Sequence, residues 1–131
     1  MIFVDTSFWA AADGDDAWHE EAGTLLRRFG DEHLVTSNHV RGETWTFLRR
    51  RHGYRAAVAF LDRLARTPRV RVVRVSEALE DEALRWLRRR DEREYSFVDA
   101  TSFVLMKSLR IREVLAFDGD FAAAGFTELR A

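Results

Sequence analysis

Four carboxylates stand at the edges of apolar segments in this chain. Asp5 follows Ile2-Phe3-Val4, and Asp118 follows Val114-Leu115-Ala116-Phe117. Glu43 lies in Val40-Arg41-Gly42-Glu43-Thr44, and Asp99 in Ser96-Phe97-Val98-Asp99-Ala100. A single acid in such a place is more often a helix cap or a surface charge. Four of them point to a shared site. Carboxylates gathered at low dielectric repel one another, which raises the pKa of some members, and a divalent cation removes that penalty. The chain has no cysteine, so the donors are hard oxygens that favour magnesium or manganese over zinc. Such an ion can activate water, orient a phosphodiester and neutralise charge that develops in the transition state. Acids suffice for that chemistry, with no nucleophilic serine or catalytic histidine.

For these acids to meet, the elements that carry them must converge. Ile2-Phe3-Val4 reads as a buried strand, and Asp5-Thr6-Ser7 as a cap for the helix behind it. A helix is expected from about Asp15 to Phe29, with Trp18, Ala22, Leu25, Leu26 and Phe29 on one stripe. Leu34-Val35 is a second strand, Thr36-Ser37-Asn38 a second cap, and the next helix places Val40, Thr44, Phe47 and Leu48 on one face. Gly53 ends that helix, and another with Ala57, Phe60, Leu61 and Leu64 follows. Val70, Val72, Val73 and Val75 form a third, β-branched strand after the single proline, Pro68.

Ser76 starts a helix lined by Leu79, Ala83, Trp86 and Leu87. Tyr95-Ser96 lead into one with Val98, Thr101, Val104, Leu105 and Leu109 toward the core. Val114–Phe117 is the fourth strand, and a helical turn at Phe121–Ala124 precedes a last strand at Phe126–Leu129. Short apolar strands alternating with helices indicate an α/β fold around a mostly parallel sheet. Ligands of such sheets bind at the carboxyl ends of the strands, at a topological switch point. Parallel central strands would therefore bring Asp5 and Asp118 to one edge.

Composition sets the outer bounds. A chain of 131 residues with 47% hydrophobic content fits a single domain over 1–131 with one core. No window approaches the roughly 18 apolar residues of a membrane span, and Asp5 breaks the N-terminal apolar run before a signal peptide could form. A cytoplasmic protein is the simple expectation. Lys107 is the only lysine, and every other basic residue among 21 is arginine, but the formal net charge is −1. Any nucleic-acid site must be a local patch, because the whole molecule lacks the excess charge of a basic domain.

Val4-Asp5-Thr6-Ser7, Arg41-Gly42-Glu43, Phe97-Val98-Asp99-Ala100 and Phe117-Asp118-Gly119-Asp120-Phe121 together resemble the PIN-domain family, specifically the VapC-type toxins, over essentially the whole chain. The resemblance implies a three-layer α/β/α domain with a sheet of about four or five strands. It implies a magnesium- or manganese-dependent endoribonuclease, dimeric, and paired with a small antitoxin whose tail occupies the active-site groove. Asp5, Glu43, Asp99 and Asp118 match the acidic quartet, and Thr6 or Ser7 the hydroxyl beside the first acid. Two positions depart from the pattern. Ala116 stands where the family often has threonine, and Asp120 where a basic residue or histidine is common. Asp120 could reach the metal through water, or weaken the approach of RNA.

Other features are weaker. His39 and Glu43 are four apart, but His19, His33 and His52 have no spacing that would complete a metal site. Arg88-Arg89-Arg90 reads as a solvated face beside Asp91, Glu92 and Glu94, while Arg49-Arg50-Arg51 is balanced between that reading and phosphate contact. Trp9, Trp18, Trp45 and Trp86 fall mostly on apolar stripes. Two alternatives to the nuclease are a silent binding module and a magnesium-dependent phosphotransfer domain. Against the second, Ser7 occupies the place of a phosphatase's second aspartate, and Lys107 falls within a helix instead of after a strand. Sequence-specific RNA recognition favours single-stranded loops, so a structured RNA cut in a loop is the expected substrate.

Overall fold

The computed structural model describes residues 1–14 and 17–131. Its three inner strands are short and almost wholly buried, while the two edge strands, the third and fifth, are partly exposed. They are β1 (Ile2–Val4), β2 (Leu34–Ser37), β3 (Val70–Val73), β4 (Glu113–Leu115) and β5 (Thr127–Glu128). The helices are α1 (Thr6–Asp13), α2 (His19–Arg28), α3 (Asn38–His52), α4 (Tyr54–Arg66), α5 (Glu77–Leu87), α6 (Phe97–Ser108) and α7 (Asp120–Ala123). All four strand pairings are parallel, in the order β3-β2-β1-β4-β5. The chain builds outward from β1 to β3, then returns to lay β4 on the other side of β1. That reversal makes the β1/β4 boundary the switch point.

Strand side chains alternate between two faces, and each face has its own core. Phe3, Val35 and Val114 pack with Phe103, Met106 and Phe121. Ile2, Val4, Leu34 and Leu115 pack with Phe8, Ala11, Ala22 and Leu25. Helices therefore cover both faces in three layers. Leu48, Ala57, Phe60 and Leu64 join α3 to α4 and reach Trp9, Val70 and Val72. No helix among the described residues is long and apolar enough to cross a membrane.

Several boundaries differ from the expectation, each for a local reason. The third strand stops at Val73, because the Val75 N–H donates to Asn38 Oδ1 at 2.8 Å and leaves the ladder. The fourth stops at Leu115, because the Phe117 N–H is taken by Ser7 Oγ at 3.0 Å. The second helix starts at His19, and Asp15, where its start was expected, lies outside the described residues. Trp18 precedes that helix and is 41% exposed, with its ring stacked on Phe117 at 4.8 Å. Phe47, expected on the apolar face, is exposed.

Candidate metal centre

Asp5 is the residue after β1, and its N–H donates to the Leu115 carbonyl of β4 at 3.1 Å. The two central strands thus fix its backbone. It also caps α1, where its Oδ2 accepts from the Ser7 N–H at 3.1 Å and the Ser7 hydroxyl at 2.8 Å. Ser7 Oγ in turn accepts from Phe117, so one hydroxyl ties the first acid to the segment leading into Asp118. The hydroxyl missing at Ala116 does not leave this segment untethered. Thr6 Oγ1 is buried and has no hydrogen-bond partner.

Asp99 occupies the first turn of α6 in a reciprocal capping box. The Asp99 N–H donates to Ser96 Oγ and the Ser96 N–H donates to Asp99 Oδ2, both at 2.9 Å. This arrangement satisfies two otherwise orphaned donors and fixes the direction of the carboxylate. Asp118 lies three residues beyond β4, and Gly119 turns the chain through a left-handed conformation (φ 82°) before α7. That conformation is costly for any residue with a Cβ. The Asp120 N–H then donates to Asp118 Oδ1 at 3.1 Å.

The structure brings Asp99, Asp118 and Asp120 together, with one carboxylate oxygen from each inside a mutual 4.8 Å. Asp99 is buried, Asp120 half-buried and Asp118 at the exposed rim. Asp5 stands beside this group, close enough to feel the charges of Asp118 and Asp99. Burial first, and then those charges, push its carboxyl up to about 7 against the pull of the Ser7 hydrogen bonds. Desolvation raises Asp99 to about 6, aided by Asp120 and Asp118 and opposed by the Ser96 hydrogen bonds. Asp118 also rises to about 6, through desolvation and the neighbouring charges of Asp120 and Glu128. Crowded, hard, oxygen-only donors with this shared repulsion fit an oxygen-preferring divalent cation.

Glu43 sits half-buried on α3, and no ion pair or hydrogen bond among the described residues joins it to the other acids. His39, four residues earlier, pairs with Glu80 Oε2 at 2.8 Å instead of with Glu43. Arg93 is a contact that the sequence did not reveal. Its Nε donates to Asp120 Oδ1 at 2.5 Å and its Nη2 to the Asp118 carbonyl at 3.2 Å. The guanidinium clamps the loop that carries both acids. In sequence it sits among Asp91, Glu92 and Glu94, where nothing separates it from a solvated charge run. Of the run before it, Arg90 is exposed, stacks over Trp86 and pairs with Glu92.

Comparisons with known proteins point to one family. The PIN domain family model matches residues 2–127. The 23S rRNA-specific endonuclease VapC20 of Mycobacterium tuberculosis, from strains CDC 1551 / Oshkosh and ATCC 25618 / H37Rv, is 56% identical, covering 99% of this chain and 98% of the relative. The crystal structure of Mycobacterium tuberculosis VapC20, described as a sarcin-ricin loop cleaving toxin, superposes with a TM-score of 0.94. It is 54% identical, with all of both chains covered. With acids at the switch point of an all-parallel sheet and a family match over nearly its whole length, the chain belongs to the PIN-domain family.

Proposed function

We propose that this chain is a metal-dependent endoribonuclease, the toxin of a toxin–antitoxin pair, acting on a loop of large-subunit ribosomal RNA. One observation carries the reading. Three carboxylates converge at the sheet's switch point in a chain 56% identical, over 99% of its length, to a 23S rRNA-specific endonuclease. The substrate class follows from that relative and from the sarcin-ricin loop named for its crystal structure. Cytoplasmic action, a homodimer and a small cognate antitoxin are part of the same proposal.

Asp5, Glu43, Asp99 and Asp118 are assigned as the acidic quartet, and Asp120 joins them through its place beside Asp99 and Asp118. Magnesium or manganese suits the donors, and such an ion supplies Lewis-acid activation of a phosphodiester and its attacking water. The protein's own part is to hold charge and direction. Ser96 aims Asp99, Ser7 aims Asp5, and Arg93 holds Asp120. Of the two hydroxyls beside Asp5, that of Ser7 is engaged with Asp5 and Phe117, and that of Thr6 is buried.

The test is incubation of partner-free protein with ribosomes and total RNA in magnesium, manganese or EDTA, with Asp99→Asn beside it. A discrete 23S fragment that needs metal and is absent with the variant is the expected result. A folded protein that holds RNA but cuts nothing with either metal would favour the silent binding module.

A further inference from the structure

The peptide group between Ala116 and Phe117 leads directly into Asp118 and lies beyond the last residue of β4. Both residues are buried, so neither the N–H nor the carbonyl can turn to water, and a buried backbone group left unpaired is costly. Side chains from elsewhere in the chain meet both. Ser7 Oγ accepts from the Phe117 N–H at 3.0 Å, and Arg130 Nη1 donates to the Ala116 carbonyl at 2.7 Å. With both of its polar ends held, this peptide plane is fixed, and it sets the direction in which the backbone enters Asp118.

Arg130 makes further contacts around the same loop. Its guanidinium lies over the Phe117 ring at 5.2 Å and the Trp18 ring at 5.6 Å, and those two rings stack at 4.8 Å. Nη2 donates to Glu128 Oε1 at 2.9 Å, while Glu128 Oε2 accepts from the Ala122 N–H at 3.1 Å. Ala122 belongs to α7, the helix that begins at Asp120. The pair therefore spans Asp118, holding the chain at Ala116 before it and at Ala122 after it. The Glu128 side chain is only 4% exposed, which a carboxylate tolerates when it is paired and hydrogen-bonded. The segment that carries Arg130 is itself pinned. The Leu129 N–H donates to the Val114 carbonyl at 2.9 Å, and the Ala131 N–H to Glu21 Oε2 at 3.0 Å.

We infer that Arg130, braced by Glu128, is a positioning residue of the metal centre, acting through the Ala116–Phe117 peptide to hold Asp118 beside Asp99 and Asp120. The inference rests on the metal-centre reading above and adds what aims its fourth acid. Ser7 reaches the peptide from the Asp5 side and Arg130 from the β5 side. Arginine suits the place because one planar fork meets a carbonyl and a carboxylate while its face lies on aromatic rings. The point charge of a lysine cannot do all three.

Manganese binding to the partner-free chain is followed by the electron paramagnetic resonance signal of the free ion. KM and kcat on ribosomal RNA at saturating manganese, and urea unfolding, are read beside it. Arg130→Gln and Arg130→Lys should each weaken manganese binding roughly 10- to 100-fold, the usual cost of losing a group that orients a metal ligand. They should lower kcat and leave KM near the parent's, because the guanidinium is engaged with the protein's own groups. Arg130→Gln with Glu128→Gln leaves no unpaired buried charge, and it should bind manganese no more weakly than the worse single variant. Arg66→Gln removes an exposed arginine that pairs with Asp62 on α4, and it should change nothing.

Variants that unfold at lower urea yet bind manganese like the parent would overturn the inference and leave Arg130 a purely structural residue. Full manganese affinity in Arg130→Lys would overturn it in favour of a simple charge effect. A parent that binds manganese but cuts no RNA would overturn the proposed function, while the manganese titrations would still decide the role of Arg130. A parent that binds no manganese would overturn both.

Discussion

Replacing Asp5 with asparagine should make the metal-free protein more stable at pH 8 even as it removes activity. The carboxylate is 2% exposed, and burial with the charges of Asp118 and Asp99 lifts it from 3.8 to about 7. At about 1.36 kcal/mol per pH unit, holding it ionised costs the native state at most about 4 kcal/mol. Asparagine gives part of this back. It accepts more weakly from Ser7 than a carboxylate does, at about 1 kcal/mol, and its amide N–H group loses about 1 kcal/mol or more if left unpaired. A net gain of about 1–2 kcal/mol remains.

The pH dependence identifies the cause. The native state holds this proton more tightly than the unfolded chain, so the group's stabilisation is complete below 3.8 and is lost as pH rises through about 7. Asparagine does not titrate. The stability gap between variant and parent should therefore open between pH 4 and 7 and stay level above. Urea unfolding in EDTA at pH 4.5, 6 and 8 measures this directly. Saturating magnesium should narrow the gap, because the cation stabilises the parent's ionised carboxylate. Parallel stability curves for parent and variant, or a variant less stable at pH 8, would refute the argument that Asp5 is a strained charge.

Ser7→Ala should lower stability by about 1–3 kcal/mol, because the buried Phe117 N–H loses its acceptor. It should also move the acidic limb of the cleavage profile to higher pH, since the Ser7 hydroxyl is the stronger of the two bonds that hold the Asp5 carboxyl down, the other coming from the backbone N–H that alanine keeps. Chemical unfolding and a pH–rate profile check the two halves separately. Arg93→Gln and Asp120→Asn should each slow cleavage, and the double variant should be no slower than the worse single, because the two side chains form one clamp. Multiplicative losses would show that they act apart.

Much of this protein was legible in one dimension. Ile2-Phe3-Val4 and Val114-Leu115 are too apolar and too short to be anything but buried strands, so the acids behind them had to sit at a sheet edge. Ser37, Ser76 and Ser96 each cap the helix that the sequence placed after them, because a cap depends only on residues within three positions. The α/β class followed from the alternation of strand and helix patterns.

Contacts between distant segments could not be read in this way. The sheet order, which decides that β1 lies beside β4, comes from long-range packing. That order is what sets Asp5 close to Asp118, 113 positions away in the chain. Ser7 ends β4 through a bond to Phe117 that no local pattern contains. Arg93 clamps Asp120 across 27 positions, while Glu43, matched by motif, has no bond to the other acids. Sequence alone determined which residues could bear charge at an apolar edge, since local pattern and chemistry suffice for that. Tertiary structure decided which of those charges meet, because their separation depends on where the β1/β4 crossover folds the chain back upon itself.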